Sequence, residues 1–195
     1  MIAEGAHRST EVEVKHDVAP DTPLPDWSGL PGVARVGGPE LRDLDASYLD
    51  TDDLALGRAG YALRRRTGGP DAGWHIKGPR GADGGRVELQ WPLADDVPAQ
   101  AREAVATVTT APLRPLARIR SRRTAYALLD ARGEVVAEFV DDRVVATDQR
   151  TATTRKWREW EFELGPAAPA GAAGRAALLA AAAAAVGAAG GGPPA

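Results

Sequence analysis

The chain has no cysteine, which removes disulfides, thiolate nucleophiles and zinc sites built on thiolates, and suits a reducing cytoplasm. Histidine is scarce, with only His7, His16 and His75, and no Ser-His-Asp arrangement is recognisable, so nucleophilic catalysis of that kind has no visible parts. His75 stands beside Lys77, a setting in which a lone histidine is more often hydrogen-bonded than functional. A basic excess is also missing: 24 Lys and Arg stand against 27 Asp and Glu, for a net charge of −3. Nonspecific nucleic-acid and anionic-membrane binders carry the opposite balance, so neither partner is expected and any anion site must come from local segregation of charge. The Ala run near the C-terminus is shorter than the roughly 20 apolar residues of a membrane span and is built from the least hydrophobic apolar residue. Met1-Ile2-Ala3-Glu4 carries an acid and no apolar stretch, so no signal peptide is expected and the protein is expected to stay in the cytoplasm. There is no internal repeat.

What is present is one core's worth of apolar residues, 44% of 195, in short alternating runs broken by Gly, Pro and Asp. This pattern predicts strands over residues 9–18, 45–50, 61–67, 73–77, 85–92, 116–129, 134–140, 143–148 and 156–164. Residues 20–39, rich in Pro and Gly, read as a long loop, and 98–108 as one helix. Gly68-Gly69 and Gly84-Gly85 read as hairpin turns, and Asp141-Asp142 as a turn between two Val-rich strands or a metal ligand. After Gly165 the composition changes to Ala, Gly and Pro. A helix is expected over 175–186, and 190–195 as a flexible stop or linker. The chain thus divides into a mainly β domain over 1–165 and a helix-and-tail segment over 166–195.

Period-two arithmetic shows which charges share a face. Glu11, Glu13 and Lys15 lie together opposite Val12 and Val14. Arg64 joins Arg66, His75 joins Lys77 opposite Trp74 and Ile76, and Arg86, Glu88 and Gln90 oppose Val87, Leu89 and Trp91. Arg118, Arg120 and Arg122 oppose Ala117 and Ile119, although a bulge would leave Arg122 and Arg123 interchangeable. On the last strand Glu159, Glu161 and Glu163 oppose Trp160, Phe162 and Leu164. A solvated face with cross-strand ion pairs would explain any one of these strands. The set is different, because Arg and Glu dominate it, acids gather on the first and last strands, and bases gather between them. Glutamates at i, i+2 and i+4 repel one another unless a cation sits there. If the first and last strands approach, their glutamates form an acidic pole for a divalent cation, and the Arg and Lys residues form a basic wall for a highly charged anion.

The same residues resemble a known family. Glu11-Val12-Glu13-Val14-Lys15 is similar to the ExExK signature that opens CYTH domains, the triphosphate tunnel metalloenzymes. It is followed in family order by Tyr48-Leu49-Asp50-Thr51, Leu63-Arg64-Arg65-Arg66, Trp74-His75-Ile76-Lys77-Gly78, Arg86-Val87-Glu88, the arginines over 118–123 and Glu159-Trp160-Glu161-Phe162-Glu163. The resemblance implies a mainly β fold: a closed, eight-stranded antiparallel β-barrel tunnel with a few flanking helices. It further implies hydrolysis of inorganic tripolyphosphate or an organic triphosphate with Mg²⁺ or Mn²⁺. Carried over, Glu11, Glu13 and Lys15 are the candidate catalytic residues. Lys15, Arg64, Arg66, Lys77, Arg86, Arg118, Arg120 and Arg122 are the candidate phosphate ligands. Glu11, Glu13, Glu88, Glu159, Glu161 and Glu163 are the candidate metal ligands. Gln90 departs from the family, standing where many relatives have a second acid after Glu88. The spacing is most like CYTH domains that continue into a helical CHAD domain, so such a fusion is an expectation. A polyphosphate-binding module without turnover is the alternative, and an adenylate cyclase comes third because nothing marks an adenine pocket.

Overall fold

The computed structural model describes residues 6–82 and 84–195, so the signal-peptide expectation at Met1 to Glu4 lies outside the described residues. In chain order the elements are β1 (His7–Glu11), β2 (Glu13–Val18), β3 (Arg35–Val36), β4 (Glu40–Asp50), α1 (Ala55–Arg58), β5 (Ala62–Thr67), β6 (Gly73–Arg80) and β7 (Arg86–Trp91). There follow α2 (Ala99–Val105), β8 (Arg114–Leu129), β9 (Val135–Asp148), β10 (Thr154–Leu164) and α3 (Ala172–Ala189). The protein is mainly β, as its alternating patterns require. The hydrogen-bonded strand order is β1-β7-β6-β5-β4-β8-β9-β10-β2, with β3 paired to β8 off that path. This corrects the expected closed ring of eight strands. The path is open, and its two ends, β1 and β2, are successive stretches of chain parted at Val12. The expected opening strand is thus two strands, the first pairing with β7 and the second with β10.

A second correction concerns Asp141-Asp142. No turn interrupts the Val-rich stretch, and both residues lie inside the 14-residue strand β9. Buried partners for both carboxylates, described below, replace the solvent that a turn would have offered.

The chain forms two compact units. The first comprises the residues up to Val12, Asp43–Ser121 and Val145–Arg155. Its core gathers Leu56, Leu63, Trp74, Ile76, Trp91, Val97, Ala101 and Val105. Strand alternation delivers Leu63, Trp74, Ile76 and Trp91 to one face, and α2 lays Ala101 and Val105, four apart on one helix face, into the same cluster. The Asp50-Thr51 pair, matched above as a motif, has a local structural task. Buried Asp50 accepts the backbone N–H groups of Thr51, Leu56 and Gly57 at 2.7, 2.9 and 3.0 Å, and Thr51 Oγ1 accepts that of Ala55 at 2.9 Å. These bonds satisfy donors that a one-turn helix leaves open.

The second unit comprises Glu13–Arg42, Arg122–Val144 and Lys156–Ala195. Trp27 and Leu30, from the long loop, enter a core with Leu128, Phe139, Trp160, Phe162, Leu178, Ala182 and Val186. Trp27 lies 4.8 Å from Phe139 and 5.5 Å from Phe162, centroid to centroid, within the range of favourable tilted ring contacts. Buried Arg158 fixes the loop by donating Nη1 to the carbonyls of Ala19, Pro20 and Thr22 at 3.2, 3.0 and 2.7 Å, and Nε to Asp141 Oδ1 at 2.7 Å.

Helix α3 is longer than the sequence pattern predicts. With 18 residues and a mean hydropathy of 1.6 it is, by length and composition only, long and apolar enough to cross a membrane. Its Leu178, Ala182 and Val186, at i, i+4 and i+8, are buried in the core of this unit. Gly190, at φ 94°, ends the helix in the left-handed conformation. The residues expected as a flexible stop instead lie along β2: Gly192 and Ala195 donate their N–H to Asp17 and Lys15 carbonyls at 3.2 and 2.9 Å.

Candidate functional site

In the first unit the register of β5, β6 and β7 sets the polar face as rows. Arg64 stands opposite His75, which stands opposite Gln90, and Lys77 stands opposite Glu88. Glu88 is 5% exposed and is the hub of this face. His75 Nδ1 lies 3.0 Å from its Oε1, and Arg64 Nη2 and Lys77 Nζ each lie 3.7 Å from its Oε2. Burial alone would raise the Glu88 pKa. The His75 hydrogen bond and the charges of Lys77 and Arg64 outweigh it and hold the carboxyl at about 2. Lys77 Nζ is also 2.5 Å from Glu11 Oε2, and Arg64 Nη1 donates to Tyr48 Oη at 3.3 Å.

His75 is fully buried. Its second nitrogen, Nε2, donates to the Asp71 carbonyl at 2.8 Å. Burial, then the neighbouring Arg64 and Arg66, push its pKa down, while Glu88 pulls it up, and the net direction is down. Both ring nitrogens face acceptors, so the neutral ring that the lowered pKa favours can donate at only one of them, and Nε2 facing a carbonyl is that one. Arg66 is paired with Asp71.

In the second unit β2 and β10 run antiparallel with Lys15 opposite Glu161 and Glu13 opposite Glu163. Lys15 forms an ion pair with Glu161, and Arg123 Nη2 donates to the other Glu161 oxygen at 2.8 Å. Arg123 also grips Asp142, with Nε 2.9 Å from Oδ1 and Nη2 2.6 Å from Oδ2. Glu159 Oε2 accepts Trp157 Nε1–H at 2.5 Å. Asp142, Glu159 and Glu161 each offer an oxygen within 4.8 Å of the others. Burial raises the pKa of Glu159 against the Trp157 bond and the Lys15 charge, and Glu161 adds to the rise. Burial likewise raises Asp142 in spite of Arg123. Burial would lower Lys15, but Glu161, Glu13 and Glu159 together hold it well above its usual value. Buried acids that resist ionisation beside one another would gain from a divalent cation.

The structure therefore brings together, in the first unit, Glu11, Arg64, Lys77 and Glu88, and in the second, Lys15, Glu159 and Glu161. It does not add every expected residue to these groups. Arg86 directs Nε at the Gly78 carbonyl, 2.8 Å away, and Nη2 at that of Gly60, 3.3 Å away. Arg118 is exposed and paired with Asp45 at 2.5 Å, and Arg120 and Arg122 are exposed on the same strand. Arg123, not Arg122, meets the buried acids. Asp71 lies outside the sequence-based candidates, and Asp142, expected as a turn residue or a metal ligand, is not in a turn. An acid embedded in a β-branched run without Gly or Pro was the available signal for Asp142; a hairpin loop gave none for Asp71.

Residues 9–171 match the family model of the CYTH domain, and the chain belongs to that family, whose members include triphosphatases and cyclases. An uncharacterized protein of Mycobacterium tuberculosis, present in two strains, is 41% identical over 171 residues, covering 80% of this chain. This chain spans about a third of the length of those curated relatives, 33%. Among solved structures, a proposed adenylate cyclase of Bacillus halodurans superposes with a TM-score of 0.58 at 16% identity, covering 90% of this chain and 88% of its own. That likeness shows the fold.

Proposed function

We propose that the chain is a metal-dependent hydrolase of inorganic tripolyphosphate or an organic triphosphate, working with Mg²⁺ or Mn²⁺. The observation that best supports this is the convergence of Asp142, Glu159 and Glu161, with ligating oxygens within 4.8 Å of one another. The donor set fits a hard cation, since carboxylate oxygens favour Mg²⁺ or Mn²⁺ and no thiolate is available to favour zinc. Bound there, with Glu13 and Glu163 facing each other in register on the same strands, the ion would supply Lewis-acid polarisation of a phosphoryl oxygen and a site for water. Lys15 and Arg123, now neutralising Glu161, would turn to phosphate oxygens and stabilise charge as it builds on the leaving group. Arg64, Arg66 and Lys77 would bind phosphates by charge-assisted hydrogen bonds. Glu13, in the same unit as these acids, would orient the attacking water and accept its proton.

The test is phosphate release from tripolyphosphate with Mg²⁺, with Mn²⁺ and with chelator, run beside calorimetric binding. Metal-dependent release supports the hydrolase, and the absence of both binding and release sinks it. Binding without release would favour the second reading, a non-catalytic polyphosphate module. That reading draws on Gln90, an amide in place of an acid, and on the cation or indole already paired to each acid of the trio. Cyclic AMP from ATP would favour the cyclase suggested by the Bacillus halodurans description. In the longer relatives, we propose that this domain is the phosphate-handling part, with a helical CHAD domain as its expected neighbour.

A further inference from the structure

We propose that Asp71 is a tethered counter-ion that competes with phosphate for Arg66 and so promotes release of the bound anion. The inference rests on the proposed role of Arg66 in binding phosphate. Asp71 sits in the hairpin connection between β5 and β6, which opens with Gly68 at φ 76°. A Cβ at Gly68 would stand 1.8 Å from the Asp43 carbonyl oxygen, so only glycine permits this path. The Asp71 backbone is tied down from two strands. His75 Nε2 donates to its carbonyl at 2.8 Å and Gln90 Nε2 donates to the same oxygen at 3.3 Å.

Here lies a use for the amide that departs from the family pattern. A carboxylate at position 90 could only accept, and would face the Asp71 carbonyl without a proton to share. Gln90 closes the tether instead. The Asp71 carboxylate, by contrast, is 37% exposed while the side chain it pairs with, Arg66, is 10% exposed. A half-open acid thus lies on a nearly buried base, with its backbone fixed close by. An arriving phosphate displaces the carboxylate, which stays within reach because its backbone cannot leave. When the phosphate departs, the carboxylate returns. The buried guanidinium is never left without an anion, a state that would cost the full penalty of an unpaired buried charge.

The experiment is a double-mutant cycle on anion binding without metal, so that turnover and metal affinity do not enter. Tripolyphosphate and pyrophosphate are titrated by calorimetry into the wild type, Asp71→Asn, Arg66→Ala and the double variant. Arg66→Gln replaces Arg66→Ala if circular dichroism shows the alanine variant misfolded. Asp71→Asn is expected to tighten binding about three- to fivefold, the scale of a half-exposed ion pair, and to slow dissociation of the anion. In the Arg66 background it is expected to add nothing. If Arg66→Ala weakens binding but Asp71→Asn leaves it unchanged, the counter-ion role falls and the phosphate-binding reading of Arg66 stands. An equal gain from Asp71→Asn in both backgrounds marks a general charge effect and also overturns the proposal. If Arg66→Ala binds like the wild type, the phosphate role of Arg66 fails and this inference fails with it.

Discussion

Replacing Glu88 by Gln removes one charge from the hub of the first unit while keeping its shape. The carboxyl pKa falls from an ordinary 4.5 to about 2 in the folded chain. At roughly 1.36 kcal/mol per decade, that drop corresponds to about 3 kcal/mol of stability at neutral pH. An independent route gives the same scale. Removing one partner of a buried ion pair typically costs about 3–5 kcal/mol, because a cation left behind is uncompensated, and here Arg64 would lose its carboxylate while Lys77 keeps Glu11. For a chain of this size, about 3 kcal/mol corresponds to a fall in Tm of about 6–12 °C. The pH dependence has a fixed sign. A carboxyl with a depressed folded pKa stabilises above its unfolded value and loses that contribution as pH falls through its folded value. The gap between wild type and Glu88→Gln is therefore expected to be constant above about pH 5 and to shrink between about pH 4.5 and pH 2. Thermal melts of both proteins at pH 7, 5, 4 and 3 measure it. A gap that stays constant down to pH 3, or no gap at pH 7, would refute the assignment of Glu88 as an ionised hub.

Glu161→Gln and Asp142→Asn are each expected to lower Mn²⁺-dependent phosphate release from tripolyphosphate by at least about tenfold, and wild-type rates in both variants would remove these acids from the metal reading. Arg64→Ala should weaken tripolyphosphate binding by about 2 kcal/mol, roughly thirtyfold. Arg65→Ala, whose side chain donates to the Ala94 carbonyl at 2.9 Å, should change it little in the same calorimetric assay. Leu178→Ala, at a fully buried position of α3, should cost about 3 kcal/mol, and an unchanged Tm would show that α3 contributes nothing to the core of its unit. Tripolyphosphate should exceed both pyrophosphate and ATP in kcat/KM, because each added phosphate meets more cations while a nucleoside gains only nonspecific packing; a preference for ATP with cyclic AMP as product would overturn the hydrolase reading.

Period two alone determined the mainly β class and most strands, because an alternating apolar and charged run has one stable use. It also set which charges share a face, Arg64 with Arg66, His75 with Lys77 and Glu159 with Glu161, and the fold then put Arg64 opposite His75, Lys77 opposite Glu88 and Lys15 opposite Glu161. The family signature was legible for the same reason, being a series of such strands in fixed order. What the tertiary structure decided lies where local pattern carries no information. Parity within a strand cannot show which strand lies alongside, so only the fold revealed that Arg123 rather than Arg122 reaches Asp142 and Glu161. Two adjacent aspartates favour a turn by propensity, yet β9 runs straight through them because Arg123 and Arg158 neutralise one each. An Ala-rich tail has no preference of its own beyond helix, and the apolar cluster of Trp27, Phe139 and Trp160 gave it a place to bury Leu178, Ala182 and Val186. Sequence thus determined the faces. Long-range packing and charge neutralisation decided which faces meet and which charges pair across them.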